Sequence, residues 1–163
     1  MRTVIDPFIK RLDEIEKRIP RYLNRIVIDN AEIILSIIKD NQLAKGLNSF
    51  GNVVGYYESI TSLYAFNDRK ATSGRFPKTE KRAGQPYNFE WTGELFDSLN
   101  LKGNVNKNEY EIFSSVGKIK KLEGIYNTKL GDLTEENNEW INQNILLPKL
   151  YEYIMTESIR GLI

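Results

Sequence analysis

The sequence predicts an α+β fold in a single domain over residues 1–163. Three observations carry that reading. An apolar stripe of helical period runs through the first 45 residues, a second runs through residues 134–161, and a period-two segment lies between them at 108–116. The outline is helix, long loop, small helix, strands, helix.

The first element opens at Asp6-Pro7, an N-cap followed by proline at the first helical position, where its missing N–H costs nothing. Phe8, Leu12, Ile15 and Ile19 recur at three- and four-residue steps, and beyond Pro20 the residues Leu23, Ile26, Val27, Ile33, Ile34, Ile37 and Ile38 keep the same period. Pro20 either kinks one helix or opens a second. The stripe thins at Asn30 and Ala31, and Gly46 is the expected stop. Residues 6–45 therefore read as one long amphipathic helix or a kinked pair. Residues 51–66 mix glycine, tyrosine and β-branched side chains and fit either an extended segment or a short helix near 59–66.

Residues 67–86 read as a long exposed basic loop. They carry Arg69, Lys70, Arg75, Lys78, Lys81 and Arg82 against Asp68 and Glu80, with two prolines, two glycines and little to bury beyond Phe76. Loops of that length are uncommon inside compact domains and usually serve a function. Tyr87, Phe89 and Trp91 then alternate with polar residues, as on one face of a strand. Thr92 is placed to cap a short helix over Gly93–Leu99, with Leu95, Phe96 and Leu99 inward, ended by Asn100 and Gly103.

Tyr110, Ile112, Ser114 and Val116 share one side of the expected strand at 108–116. Gly117 turns the chain, and 118–126 is expected to be a partner strand or a loop. Thr134 caps Glu135-Glu136, Trp140, Ile141 and Ile145 form a stripe, Pro148 starts or kinks the last helix, and Gly161 closes it.

Composition bounds the chemistry. Histidine and cysteine are both absent, so Cys/His zinc sites, thiol nucleophiles and histidine-based triads are excluded. Neither a Walker A loop nor Gly-x-Gly-x-x-Gly nor Gly-x-Ser-x-Gly occurs. No cofactor or metal is expected. The net charge of +1 leaves the chain as a whole without a polyanion-binding signature. The first residues lack the apolar core of a secretory signal, and no apolar run approaches a bilayer span, so a soluble intracellular product is expected.

Each local feature has a functional and a bland reading. Glu90, Glu94 and Asp97 could serve carboxylate-dependent glycan hydrolysis, against a solvated helix face. Glu135, Glu136 and Glu139 could bind a hard cation, yet lack EF-hand spacing. The basic loop is a partner-docking arm, a plain loop or a phosphate-contacting segment. Lys118, Lys120 and Lys121 form a smaller patch that reads as ordinary surface. The trio Tyr87, Phe89 and Trp91 is a stacking platform or the core face of a strand, and Tyr151 and Tyr153 lie on opposite sides of the last helix.

The segment Thr92-Gly93-Glu94-Leu95-Phe96-Asp97-Ser98-Leu99 supplies a Thr-Gly-x-Leu-x-x-Ser-Leu pattern. It follows a long N-terminal helix, a basic proline-containing loop and the run Gly84–Trp91. It precedes a strand, a Gly/Tyr turn region at 124–126 and a helix opened by Pro148. This order resembles the small neck and tail-completion proteins of tailed bacteriophages, also known as virion morphogenesis or head–tail connector proteins. The stretch 51–66 departs from that pattern.

The resemblance implies helices packed around a small antiparallel sheet, and a virion role without catalysis. Copies would form a ring at the head–tail joint between portal or adaptor and tail-tube proteins, leaving a channel for DNA. In that reading Arg69, Lys70, Arg75, Phe76, Lys78, Lys81 and Arg82 dock to a neighbour, and Thr92, Gly93, Leu95 and Ser98 are the motif.

Overall fold

A computed structural model of the chain describes residues 5–61, 63, 81–90, 93–104 and 109–160. It has the expected α+β class: a long N-terminal helix and a C-terminal helical arm around a two-stranded antiparallel sheet.

Helix α1 (Ile5–Asp29) is about 37 Å long. It already includes Asp6 and passes straight through Pro20, so neither residue marks a boundary. Proline removes one donor to the carbonyl four residues back; that residue is the exposed Glu16, where water can take the acceptor. The interruption comes at Asn30, whose φ of −113° leaves the helical region and whose amide side chain donates to the Ile26 carbonyl (2.6 Å). Helix α2 (Ala31–Ile37) follows, continued by a π-helical turn (Ile38–Gln42) and a 3₁₀ turn (Leu43–Lys45). A π turn aligns residue i with i+5, and it brings Ile38 and Leu43, both fully buried, onto one line. Gly46 stops the helix at φ 72°. A Cβ there would lie 2.0 Å from the Tyr87 carbonyl oxygen, so both the dihedral and the close approach require glycine.

Residues 47–60 combine both expected forms: bridges at Leu47–Val53 and Tyr56–Pro86, then a helical turn from residue 59. Helix α3 is short (Glu94–Asp97). The chain then enters strand β1 (Leu99–Asn104), which replaces the expected helix end at Leu99–Gly103. Strand β2 (Glu109–Ser114) pairs with it, Leu99 opposite Ser114 and Leu101 opposite Ile112. On β2, Ile112 and Ser114 are buried and Tyr110 half-buried, as period two requires, whereas Val116 lies beyond the strand and is exposed. Gly103 opposite Tyr110 leaves room for Asn24 of α1, which a Cβ would approach to 2.5 Å.

Gly117 (φ 68°) turns the chain into helix α4 (Lys118–Tyr126), correcting the expected strand or loop; Ile119, Leu122 and Tyr126 face inward at helical spacing. The Thr134 hydroxyl accepts from the Asn137 amide (3.3 Å) and caps helix α5 (Glu135–Ile141). A second π turn (Asn142–Leu146) leads into helix α6 (Leu147–Ile159), with Pro148 in its first turn. Trp140 stands 48% exposed beside the buried Ile141 and Ile145, so the stripe expected there is narrower. The core joins α1, α2 and the first π turn with Leu95, Leu99, Ile112, Ile119, Leu130 and Leu133. Gly161, the expected end of the last helix, lies outside the described residues.

Candidate functional site

Of the expected docking residues, Arg69, Lys70, Arg75, Phe76 and Lys78 lie outside the described residues; Lys81 and Arg82 do not. Arg82 is exposed, but Lys81 is only 3% exposed, which corrects its assignment to an exposed loop. Its ammonium donates to the Asn88 side-chain oxygen and to the Glu90 carbonyl (2.7 Å), and stands 5.5 Å from the Tyr57 ring centroid. The Tyr57 hydroxyl donates to the same Asn88 oxygen (3.0 Å) and accepts from the Asn88 amide (3.2 Å). A buried ammonium persists only when oxygens or a ring face replace its water, and here both do. Backbone bonds complete the tie: Tyr57 N–H to Gln85 O (2.9 Å), Gly84 N–H to Tyr57 O (2.8 Å) and Tyr87 N–H to Gly55 O (2.9 Å). Residues 81–87 are thus built into the fold.

Tyr87–Glu90 is irregular rather than a strand, and Phe89 takes the left-handed conformation (φ 48°). Tyr87 and Phe89 still pack inward. Tyr87 meets Tyr57 edge-on at 5.0 Å, and Tyr126 lies 5.4 Å from Tyr87 and 5.7 Å from Phe89. Both rings are half-buried in this aromatic cluster rather than lined up on the face of a strand. Burial raises the phenol pKa of Tyr57 and of Tyr126, with the neighbouring tyrosines adding to it; the Asn88 bond partly offsets the shift at Tyr57. Trp91 lies outside the described residues.

In the Thr-Gly-x-Leu-x-x-Ser-Leu segment, Thr92 also lies outside them, and the N-cap position is taken by Gly93 at φ 81°. Leu95 and Leu99 enter the core. The Ser98 hydroxyl bonds to the Leu95 carbonyl (2.9 Å) and to the Ser114 hydroxyl (2.7 Å), which in turn accepts from the Lys118 amide (3.2 Å). The described motif residues therefore lock a helix–strand junction onto β2 and the start of α4.

Glu94 pairs with Lys118, Asp97 is exposed, and Glu90 contributes its backbone carbonyl to Lys81. Glu135 and Glu136 sit in the first turn of α5, where the helix dipole favours them, and Glu139 accepts from Gln143 (2.9 Å). Among the described residues no group of three potential metal ligands converges, and no helix is long and apolar enough to cross a membrane. An open cavity of about 480 Å³ lies beside β2, lined by Phe113, Ile119, Lys120, Glu123 and others. Most charges on its wall are matched: Lys102 with Glu111 (3.5 Å), Lys129 with Asp132 (3.3 Å), and Glu123 with the amides of Leu130 and Gly131; Lys120 is exposed.

Two features escaped the sequence reading. Gln42, 0% exposed, accepts from the Thr134 amide (3.0 Å) and donates to the Asp132 carbonyl (2.9 Å), tying the first π turn to the entry of α5. No local pattern marks it. The other is the outward apolar surface: seventeen large apolar side chains are exposed against sixteen apolar residues in the core, among the described residues. No family model, curated protein or solved structure matches this chain.

Proposed function

We propose that this chain is a structural protein of the phage head–tail joint, a neck adaptor or tail-completion protein. In this reading it joins copies of itself in a ring around the DNA channel, contacts portal or adaptor and tail-tube proteins, and acts by binding alone. The observation that carries an assembly role is the outward apolar surface. Single exposed apolar residues are normal, but recurrence along one side of α6, at Leu147, Tyr151, Met155 and Ile159, fits a subunit that packs against neighbours. The kind of assembly rests on the resemblance of the Thr92–Leu99 segment and on the order of elements, with Leu95, Ser98 and Leu99 bound into the core beside β2.

The test is location. Labelled antibody on the mature particle, with mass spectrometry of purified virions, should place the chain at the joint; its absence from mature particles would overturn the reading. A truncation test of the docking arm should remove residues 67–80 and spare 81–86, which carry Lys81 and the backbone ties to Tyr57.

A further inference from the structure

We infer that copies join head to tail, the outer arc of α1 and α6 on one copy packing against residues 50–63 of the next. The inference rests on the ring reading and names its interface. Along α6, Leu147, Tyr151, Met155 and Ile159 recur every fourth residue and are 57%, 68%, 44% and 48% exposed. Each four-residue step drifts about 40° around a helix, so the four span an arc of roughly 120°. The inner side of α6 is already occupied: Tyr153 stacks on Tyr22 at 4.0 Å, and Glu157 receives Arg11 (3.3 Å). Arg11 also donates to the Arg160 carbonyl, which sets the exposed Phe8, Ile9 and Leu12 of α1 beside the end of α6.

The second surface comprises Phe50, Val53, Tyr56, Ile60 and Leu63, each 40–71% exposed. Its most exposed member, Phe50, stands on a rigid turn. The Asn48 side-chain oxygen accepts from the amides of Phe50 (3.0 Å) and Asn52 (2.9 Å), and its amide group holds Thr128 (3.0 Å). Gly51 supplies the positive φ of 78°. The backbone that carries Phe50 is thereby fixed, so docking costs little backbone entropy.

Area favours joining these two surfaces. Each presents on the order of 400 Å² of apolar surface. Covering both in one contact, at the roughly 57–65% apolar content of interfaces, corresponds to about 1,300 Å² in all, within the range of stable specific contacts. A two-fold dimer through either surface would leave the other bare. A head-to-tail contact repeated around a ring covers both in every copy.

The test uses two paired variants of the full chain, Tyr151→Asp with Met155→Asp and Phe50→Asp with Tyr56→Asp, followed by sedimentation velocity. Circular dichroism checks their fold, and Tyr151→Ser and Phe50→Ser replace them if either pair unfolds. The wild type should sediment as an oligomer and each variant as a monomer. An equimolar mixture should give a species of twice the chain mass, because each partner retains the surface the other lacks. A wild-type monomer, either variant assembling like the wild type, or a mixture that stays monomeric would overturn the inference. A wild-type ring indifferent to both variants would do so while leaving the head–tail reading intact; only absence from the particle removes that reading.

Discussion

Replacing Gln42 by leucine tests whether one polar side chain in the core holds the two helical arms in register. The side chain is fully buried, and leucine has nearly its volume, so packing changes little. Two good bonds are lost, from the Thr134 amide (3.0 Å) and to the Asp132 carbonyl (2.9 Å), with two longer ones, to the Leu130 carbonyl (3.4 Å) and from the Asn137 side-chain amide (3.5 Å). Thr134 is buried, so its amide loses its partner with no access to water, at about 1–3 kcal/mol. Asp132 is exposed and its carbonyl rehydrates at lower cost, about 1 kcal/mol. With the longer bonds included and a gain of about 1 kcal/mol from the apolar replacement, the net loss is about 2–4 kcal/mol. At this chain length that lowers Tm by about 4–16 °C. Urea titration followed by circular dichroism gives the number, with an unchanged m-value certifying that the same transition is compared. A loss below about 1 kcal/mol at constant m would refute the reasoning.

Lys81→Met should cost about 1–3 kcal/mol by the same titration, because the Glu90 carbonyl loses the ammonium while the Asn88 oxygen still accepts from Tyr57, whereas Arg82→Ala should stay within about 0.5 kcal/mol; equal effects would return Lys81 to the surface. Burial raises the phenol pKa of Tyr57, Tyr110 and Tyr126 above the ordinary value of 10.0, Asp132 adding to it at Tyr110, so the folded chain keeps protons that the unfolded chain releases. This contribution is constant below about pH 10, and stability falls as pH rises beyond it. Urea midpoints measured on either side of that pH should decline, and a flat midpoint with ordinary phenolate titration would contradict the assignment.

Much of the helical frame is legible in the residues. The stripe from Phe8 to Ile38 needs only its own spacing, as do the Thr134 cap, the Gly46 and Gly117 turns and the alternation of Tyr110, Ile112 and Ser114. Each of these signals is spelled within a few neighbouring residues. The errors fall where the deciding partner lies elsewhere in the chain. Leu99-Asn100-Leu101-Lys102 alternates as a strand does, yet its start was absorbed into the preceding helix until pairing with Glu109–Ser114 settled it. Ile119, Leu122 and Tyr126 carried helical spacing, but nothing local said that the sheet already had its second strand.

For the candidate site the divide is sharper. The residue types of the 67–86 segment correctly announce polarity, and they cannot announce that Lys81 is wrapped by Tyr57, Asn88 and Glu90. Likewise Gln42 looks like any polar residue near a helix end until residues 130–137 close over it. Periodicity and capping are properties of neighbours along the chain, so the sequence alone determines them. Whether a polar side chain is stripped of water, or an apolar one left in it, depends on segments tens of residues away, and only the tertiary structure decides that.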